Sequence, residues 1–273
     1  MNFLISSNRH RTEVPSQKAF SMLHTHDTCE ILCFLSGNAN YSVEGNRYKL
    51  MPGDIMIMRK NEFHHLIIKS DAPYERIIVN FDLPDTPEFA ELLTPFYNRA
   101  VGERNLYRPS TIKNNNMVFY LKKLIDAKDS YRKLCWLLPF LDELYDAFMS
   151  DNLCDKPTTD KATDVINFIN SHITEEISLS TLANRFFISQ NHLNRIFKES
   201  TGTTLWEYVT VKRLVLAREK LNNGEKPTEA ALKSGFRDYA TFFRAYKKHF
   251  NASPRAAKKG GLTIKYKKEL EDF

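Results

Sequence analysis

Glycine and proline are scarce in this 273-residue chain, at 9 and 11 residues, too few for collagen-like or low-complexity architecture. Only four cysteines occur, Cys29, Cys33, Cys135 and Cys154. Their scatter makes neither a disulfide framework nor a CxxC zinc pattern, so a reduced, cytoplasmic setting is expected. No apolar run approaches the roughly 20 residues that a membrane helix needs; the stretch from Leu134 to Leu141 is among the longest. The segment from Met1 to Asn8 lacks the basic start, long apolar core and small-residue cleavage site of a signal peptide. What is present is ordinary: 42% apolar and 26% charged residues, the composition of a globular protein rather than a disordered one. At roughly 100–200 residues per domain, the length suggests two domains.

The charge is unevenly placed. From residue 158 onward 20 Lys and Arg face 13 Asp and Glu, whereas the rest of the chain carries 19 against 20. The whole excess of positive charge therefore lies in the C-terminal part, where it can meet a polyanion or simply be solvated.

From Phe20 to about Phe81 the pattern is β. Short Ile-, Val-, Phe- and Tyr-rich segments are broken by turn signals at 36–38, 44–46 and 52–54. Tyr41–Val43 and Arg47–Leu50 flank Gly45-Asn46 and read as a hairpin. Segments 55–58, 66–68 and 77–79 continue the strands, and such spacing suggests a sandwich or small barrel. After Pro87 the period changes. Glu88–Val101 and Asn115–Lys128 look helical, and 131–150 carries Leu134, Leu137, Leu138, Leu141, Leu144, Tyr145 and Phe148, mostly three or four apart. Pro139 should kink that helix or begin a new one. The stripe reads either as packing against the β-domain or as a dimer surface. Residues 151–160 are polar and read as a linker.

Residues 161–262 are helical throughout. A helix over 164–173 is followed by one lined by Leu179, Leu182, Ala183 and Phe186, with Ser178 as N-cap. The turn Phe187-Ile-Ser189 leads into Gln190–Ser200, stopped by Gly202. A long helix spans Leu205–Asn222. Then Thr228–Ser234, a turn at Gly235-Phe236, and Asp238–Phe250 repeat the short-turn arrangement, with Phe242, Tyr246 and Phe250 inward. Helix, short turn, helix is the arrangement that offers its second helix to the major groove. Two such units on the basic half, joined by a helix of about 27 Å at 1.5 Å per residue, suit two successive major grooves roughly 34 Å apart.

The segment from Leu179 to Pro254 resembles the AraC/XylS family of transcriptional regulators. The likeness is carried by Leu179-Ser-Thr-Leu-Ala183, Ile188-Ser189, Leu193-Asn-Arg-Ile-Phe-Lys198, Thr201-Gly202, Arg213–Leu221, Gly235-Phe236, Phe242–Phe250 and Ser253-Pro254. Asn251 stands where a glycine is usual, the customary Tyr-Arg after Ser-Pro is missing, and Ala230 replaces a larger aliphatic. The resemblance implies that Asn191, Asn194 and Arg195 face base edges, with Gln190 and Lys198 towards phosphates. It places Tyr239, Ala240, Thr241, Phe243 and Arg244 on the second reading helix, with Lys247, Lys248 and Lys212 at phosphates or merely solvated. Arg suits guanine, Asn suits adenine, and an exposed Phe243 can meet a thymine methyl or instead pack on the linker helix.

The N-terminal pattern His24-Thr-His26-Asp-Thr-Cys-Glu30, then Gly37, Pro52-Gly53-Asp54 and His64 or His65, resembles the cupin fold that precedes this DNA-binding module in many family members. Strand parity places His24, His26, Glu30, Leu32 and Phe34 on one face, aiming the polar trio into a barrel. His24, His26, Glu30 and His64 are thus the expected ligand contacts. They also supply the donors of a Zn, Mn, Fe or Ni site; the reading taken is a hydrogen-bonded small molecule with no metal and no cofactor.

The expected architecture is an α+β multidomain chain. It has a cupin-like sensor β-barrel over 1–86, a helical segment for dimerisation over 87–150, a linker over 151–160, an all-α domain with two helix-turn-helix units over 161–262, and a tail over 263–273. The expected function is a sequence-specific, non-enzymatic transcriptional regulator answering a small molecule, with a sugar as a family-level guess. Its expected partners are double-stranded DNA, an effector, a second copy of itself and RNA polymerase. The alternative is a metal-dependent cupin enzyme with an appended helical domain, which leaves the paired helix-turn-helix pattern unexplained.

Overall fold

A computed structural model describes residues 3–13, 23–112, 115–150, 158–256 and 264–265. Of the described residues, 3–13 and 25–158 form one compact unit, and 23–24, 159–256 and 264–265 form a second. The expected linker over 151–157, Cys154 and nearly all of the expected tail lie outside the described residues.

The first unit contains strands β1 (Leu4–Thr12), the Thr25 end of β2 (His24–Thr25), β3 (Cys29–Ser36), β4 (Ala39–Val43), β5 (Asn46–Lys49), β6 (Ile55–Met58), β7 (His64–Ile68), β8 (Tyr74–Asp82) and β9 (Leu106–Tyr107). Helices α1 (Pro87–Leu92), α2 (Thr94–Tyr97), α3 (Met117–Asp126) and α4 (Ser130–Met149) complete it. One sheet is ordered β1-β8-β3-β6-β9; a second carries β2, β7, β4 and β5 as neighbours. The described pairings are antiparallel. Two sheets that do not close correct the expected barrel: β1 and β5 end their sheets unjoined to each other.

The first sheet is largely apolar on both faces, which explains the unbroken Ile31–Leu35 run. Ile31, Cys33, Ile57, Ile77 and Val79 pack under Leu137, Phe140, Leu141 and Leu144 of α4 and Leu121 and Leu124 of α3. The other face, Leu32, Phe34, Met56 and Met58, packs against Tyr41, Val43 and Leu66 of the second sheet. The α4 stripe is therefore core of this unit, because covering a sheet face removes its apolar surface from water. Pro139 neither kinks the helix into two elements nor restarts it, since α4 runs through from Ser130 to Met149. The buried residues on either side of the proline, Leu137 and Phe140, hold the helix where one backbone hydrogen bond is lost.

Three further expectations change. The span Glu88–Val101 is two short helices, each with a proline in its first turn, separated at Leu93. The hairpin turn is Glu44-Gly45 rather than Gly45-Asn46: Val43 pairs with Asn46, and both turn residues have positive φ, 50° and 86°, as a two-residue primed turn requires. Strands β1 and β9 have no counterpart in the expected pattern; β1 is a polar edge strand in which only Ile5 is buried.

The second unit contains α5 (Lys161–Ser171), α6 (Leu179–Arg185), α7 (Gln190–Thr201), α8 (Leu205–Asn222), α9 (Pro227–Lys233) and α10 (Tyr239–Phe250). Capping side chains start five of them: Asp160 accepts from the Thr163 amide, Ser178 from Thr181, Ser189 from His192, Thr204 from Glu207 and Asp238 from Thr241. The core is Leu182, Leu193, Phe197, Tyr208, Leu214, Phe242 and Tyr246. Ala230, in place of a larger aliphatic, is fully buried.

Candidate functional site

In the C-terminal unit two turns have the same construction. The Ile188 amide donates to the Ala183 carbonyl at 3.0 Å, and the Phe236 amide donates to Ala231 at 3.1 Å. In each, the preceding residue is left-handed, Phe187 at φ 53° and Gly235 at φ 87°. Glycine is needed at 235 because a Cβ there would lie 2.8 Å from both Arg213 Nε and the Ile173 carbonyl oxygen. Phe187 meets no such crowding and is 93% exposed. Asn251, standing where glycine is usual, caps α10 in the left-handed region at φ 50°, the conformation that Asn tolerates best among residues with a Cβ.

Gln190, Asn191, Asn194, Arg195 and Lys198 are all exposed along α7, while Leu193 and Phe197 are buried beneath them. Arg195 is held by its own helix: Nη1 lies 3.1 Å from Glu199 Oε1 and Nη2 lies 3.0 Å from His192 Nδ1. On α10, Ala240, Thr241, Arg244 and Lys247 are exposed. Thr241 Oγ1 donates to Asp238 Oδ2 at 2.9 Å and accepts from Arg244 Nη2 at 3.3 Å. Tyr239 and Phe243 are half-buried against each other with ring centroids 6.1 Å apart, so Phe243 offers part of its ring, not all of it. Replacing Phe243 by alanine is expected to weaken a thymine-bearing duplex by about 0.8 kcal/mol, the worth of one methyl contact, relative to the same duplex with uracil. Equal losses in paired gel-shift titrations would remove the methyl contact.

The loop before α6 ties the two helix-turn-helix units together. Arg213 of α8 donates from Nε to the Ile173 carbonyl at 2.8 Å and from Nη2 to Glu175 at 2.6 Å. Arg237, in the second turn, pairs with Glu176. Arg213→Ala is expected to cost about 1.5–3 kcal/mol of unfolding free energy, the range for charged hydrogen bonds. It is also expected to flatten the penalty for inserting two base pairs between half-sites; an unchanged penalty would show that Arg213 does not set the spacing.

The structure brings together His24, His26, Glu30 and His64, whose ligand atoms all lie within 4.8 Å of one another. The parity argument reached this set by a route the backbone does not follow, because β2 ends at Thr25 and β3 begins only at Cys29. A bend at Asp27-Thr28 returns His26 over Glu30. His26 Nε2 lies 2.9 Å from Glu30 Oε2, and His64 Nε2 lies 3.7 Å from Oε1. Of the two β7 histidines it is His64 that joins the cluster. Its Nδ1 sits 2.8 Å from the Glu62 carbonyl, which orients the other ring nitrogen towards Glu30.

Tyr41, absent from the expected set, completes the cluster: its hydroxyl donates to Glu30 Oε1 at 3.3 Å, and its ring stacks on His64. Burial alone would push the Glu30 carboxyl up, but His64 and His26 outweigh it and hold the group well below the usual carboxylate range. Burial would likewise push His64 down, and Glu30 overrides it, raising the imidazole. The pair therefore favours an ionised carboxylate facing imidazolium. In donor type and number the four side chains also fit a nitrogen- and oxygen-coordinated divalent metal.

A family model described as an AraC-like ligand binding domain matches residues 12–112, and one described as a helix-turn-helix domain matches residues 182–260. The chain is similar to the probable transcription factor PqrA of Proteus vulgaris, at 38% identity over 101 residues, 36% of this chain and 83% of that protein. It is also similar to the HTH-type transcriptional activator RhaS of Mannheimia succiniciproducens, at 24% identity over 236 residues, 85% of this chain and 87% of that one. Among solved structures, ToxT from Vibrio cholerae aligns over 92% of this chain and 96% of its own at 16% identity, with a TM-score of 0.36.

Proposed function

Because the chain belongs to the AraC family of transcriptional regulators, with a ligand-binding domain ahead of a helix-turn-helix domain, we propose that it reads one bipartite DNA site under the control of a small molecule held at the His26–Glu30–His64 cluster. The observation that carries this is the duplicated turn, each followed by a helix whose outer side is polar and basic. In this reading Asn191, Asn194 and Arg195 of α7 and Ala240, Thr241, Phe243 and Arg244 of α10 meet base edges, and Gln190, Lys198, Tyr239 and Lys247 meet the sugar-phosphate backbone. Arg195 exchanges Glu199 for a base, which costs little because both groups are solvated before binding.

The effector acts by favouring one conformer over another, so that its binding energy appears as a change in DNA occupancy. We read the cluster as a binding site rather than a catalytic one, in a protein that works in the cytoplasm without a resident cofactor. If a metal is held, His24, His26, Glu30 and His64 hold it; such an ion would supply a Lewis-acidic contact to a ligand oxygen, and elemental analysis of the purified protein tests this directly. A second copy of the chain would pair through the outer side of α3 and α4, where Phe119 and Tyr131 are exposed, since the Leu137–Leu144 stripe is already buried. RNA polymerase is the partner that DNA-bound protein would recruit.

Selection of duplexes from a random pool, with and without candidate metabolites, tests the reading. Expected is a small set of preferred sites whose affinity falls steeply with salt and changes with one metabolite. Equal affinity for selected and scrambled duplexes under every condition overturns it.

A further inference from the structure

Among the described residues, no carboxylate of the N-terminal unit forms an ion pair with Arg76. In β8, Arg76, Ile78 and Asn80 lie directly opposite Phe34, Leu32 and Glu30 of β3. Directly opposed residues of an antiparallel pair share a face, so Arg76 is on the face that carries Glu30 and looks towards the second sheet. Its guanidinium lies over the Tyr74 ring, 5.6 Å from the centroid. Burial pushes the Tyr74 hydroxyl up to about 12, and Arg76 works against that rise; the same cation also acts on Tyr41. The carboxylate of Glu30, on the same face, is engaged by His26 and His64. Arg76 Nε is buried and meets no acceptor.

A buried, unmatched guanidinium donor is costly, and the fork of a guanidinium suits a planar, two-oxygen anion. We propose that the effector is a small hydroxy acid, its carboxylate held by Arg76 beside Tyr74 and its hydroxyl-bearing end turned to Tyr41, His26, Glu30 and His64. This rests on the effector reading above and adds the ligand's charge and orientation to it. Arg76 stands four residues along β8 from the partner of Glu30, about 13 Å of backbone. A compact acid of sugar size would bridge what the side chains at the two ends leave of that separation.

The test uses the purified 273-residue chain and matched probes, galacturonate with galactose and glucuronate with glucose, followed by calorimetry and thermal melting. Expected is that at least one acid binds and raises Tm while its neutral partner binds about tenfold more weakly or not at all, the difference one charged pairing makes. Arg76→Met is expected to weaken the acid by the same factor while leaving the Tm of the free protein unchanged or higher, since a buried donor without an acceptor is gone. Arg76→Lys, keeping charge but not the fork, is expected to fall between. Neutral sugars binding as well as acids, or acid binding unchanged in Arg76→Met, overturns the anion inference and leaves the effector reading standing. A free-state Tm lowered by several degrees in Arg76→Met makes Arg76 a structural residue and overturns it too. Binding by neither acids nor neutral sugars overturns the hydroxy-acid assignment. The effector reading falls with it only if no metabolite alters DNA occupancy in the duplex selection.

Discussion

Replacing Glu62 by alanine is expected to lower the unfolding free energy of the N-terminal unit by about 3–5 kcal/mol, the range for breaking a buried ion pair. Glu62 accepts from Arg99 Nη1 and Nη2 at 2.8 and 2.7 Å, from the Gly102 amide at 2.8 Å, and from Asn105 Nδ2 and the Arg59 amide at 3.1 Å each. Both charged side chains are fully buried, so the variant strands a guanidinium and two backbone amides without their anion. Urea melts followed by tyrosine fluorescence measure the loss; a cost below about 1 kcal/mol, the worth of an exposed pair, would show that the pair contributes little.

The pH dependence has a definite sign. Burial acts to raise the Glu62 carboxyl, Arg99 overrides it, and the net folded value is depressed. Its contribution is therefore fully present above the unfolded carboxyl value of about 4.3 and is lost as pH falls through the lower folded value. The stability gap between the native chain and Glu62→Gln should stay constant from about pH 5 upward and close on further acidification.

Arg195→Ala is expected to cost about 1–3 kcal/mol on the preferred duplex and to relax base choice at one position. The parallel change Lys198→Ala should weaken all duplexes alike and reduce the salt slope by about one. The contrast matters because Arg195 and Lys198 are both exposed on α7, and a helix face alone does not separate base contact from phosphate contact. Full binding isotherms on the selected site and on its single-base variants, at two salt concentrations, separate them. A uniform loss from Arg195→Ala would make it a backbone contact.

Much of the C-terminal unit is legible without coordinates. The expected long helix Leu205–Asn222 is α8 residue for residue, and Ser178 and Asp238 cap where their side chains predict. Local signals suffice there, because helix hydrogen bonds and caps join residues three or four apart. The N-terminal unit is less legible for the converse reason. Strand β1 shows one buried residue and reads as loop until β8 is laid beside it. Nothing in the order of residues joins Glu62 to Arg99 across 37 positions. Arg76 escaped notice because its face depends on the pairing of β8 with β3, and a slip of one residue would turn it outward. Tyr41 would have been found by carrying the parity argument from β3 to β4.

Alone, the order of residues determined two domains, a basic helical half with two helix-turn-helix units, and the set His24, His26, Glu30 and His64, since composition, helical period and capping act over a few residues. Only the tertiary structure decided that the sheets stay open, that α4 covers one of them instead of presenting its stripe, that Tyr41 and Glu62 support the histidines, and that Arg76 shares the face of Glu30. Each of those outcomes depends on strand register and long-range packing, which bring together groups that local sequence keeps far apart.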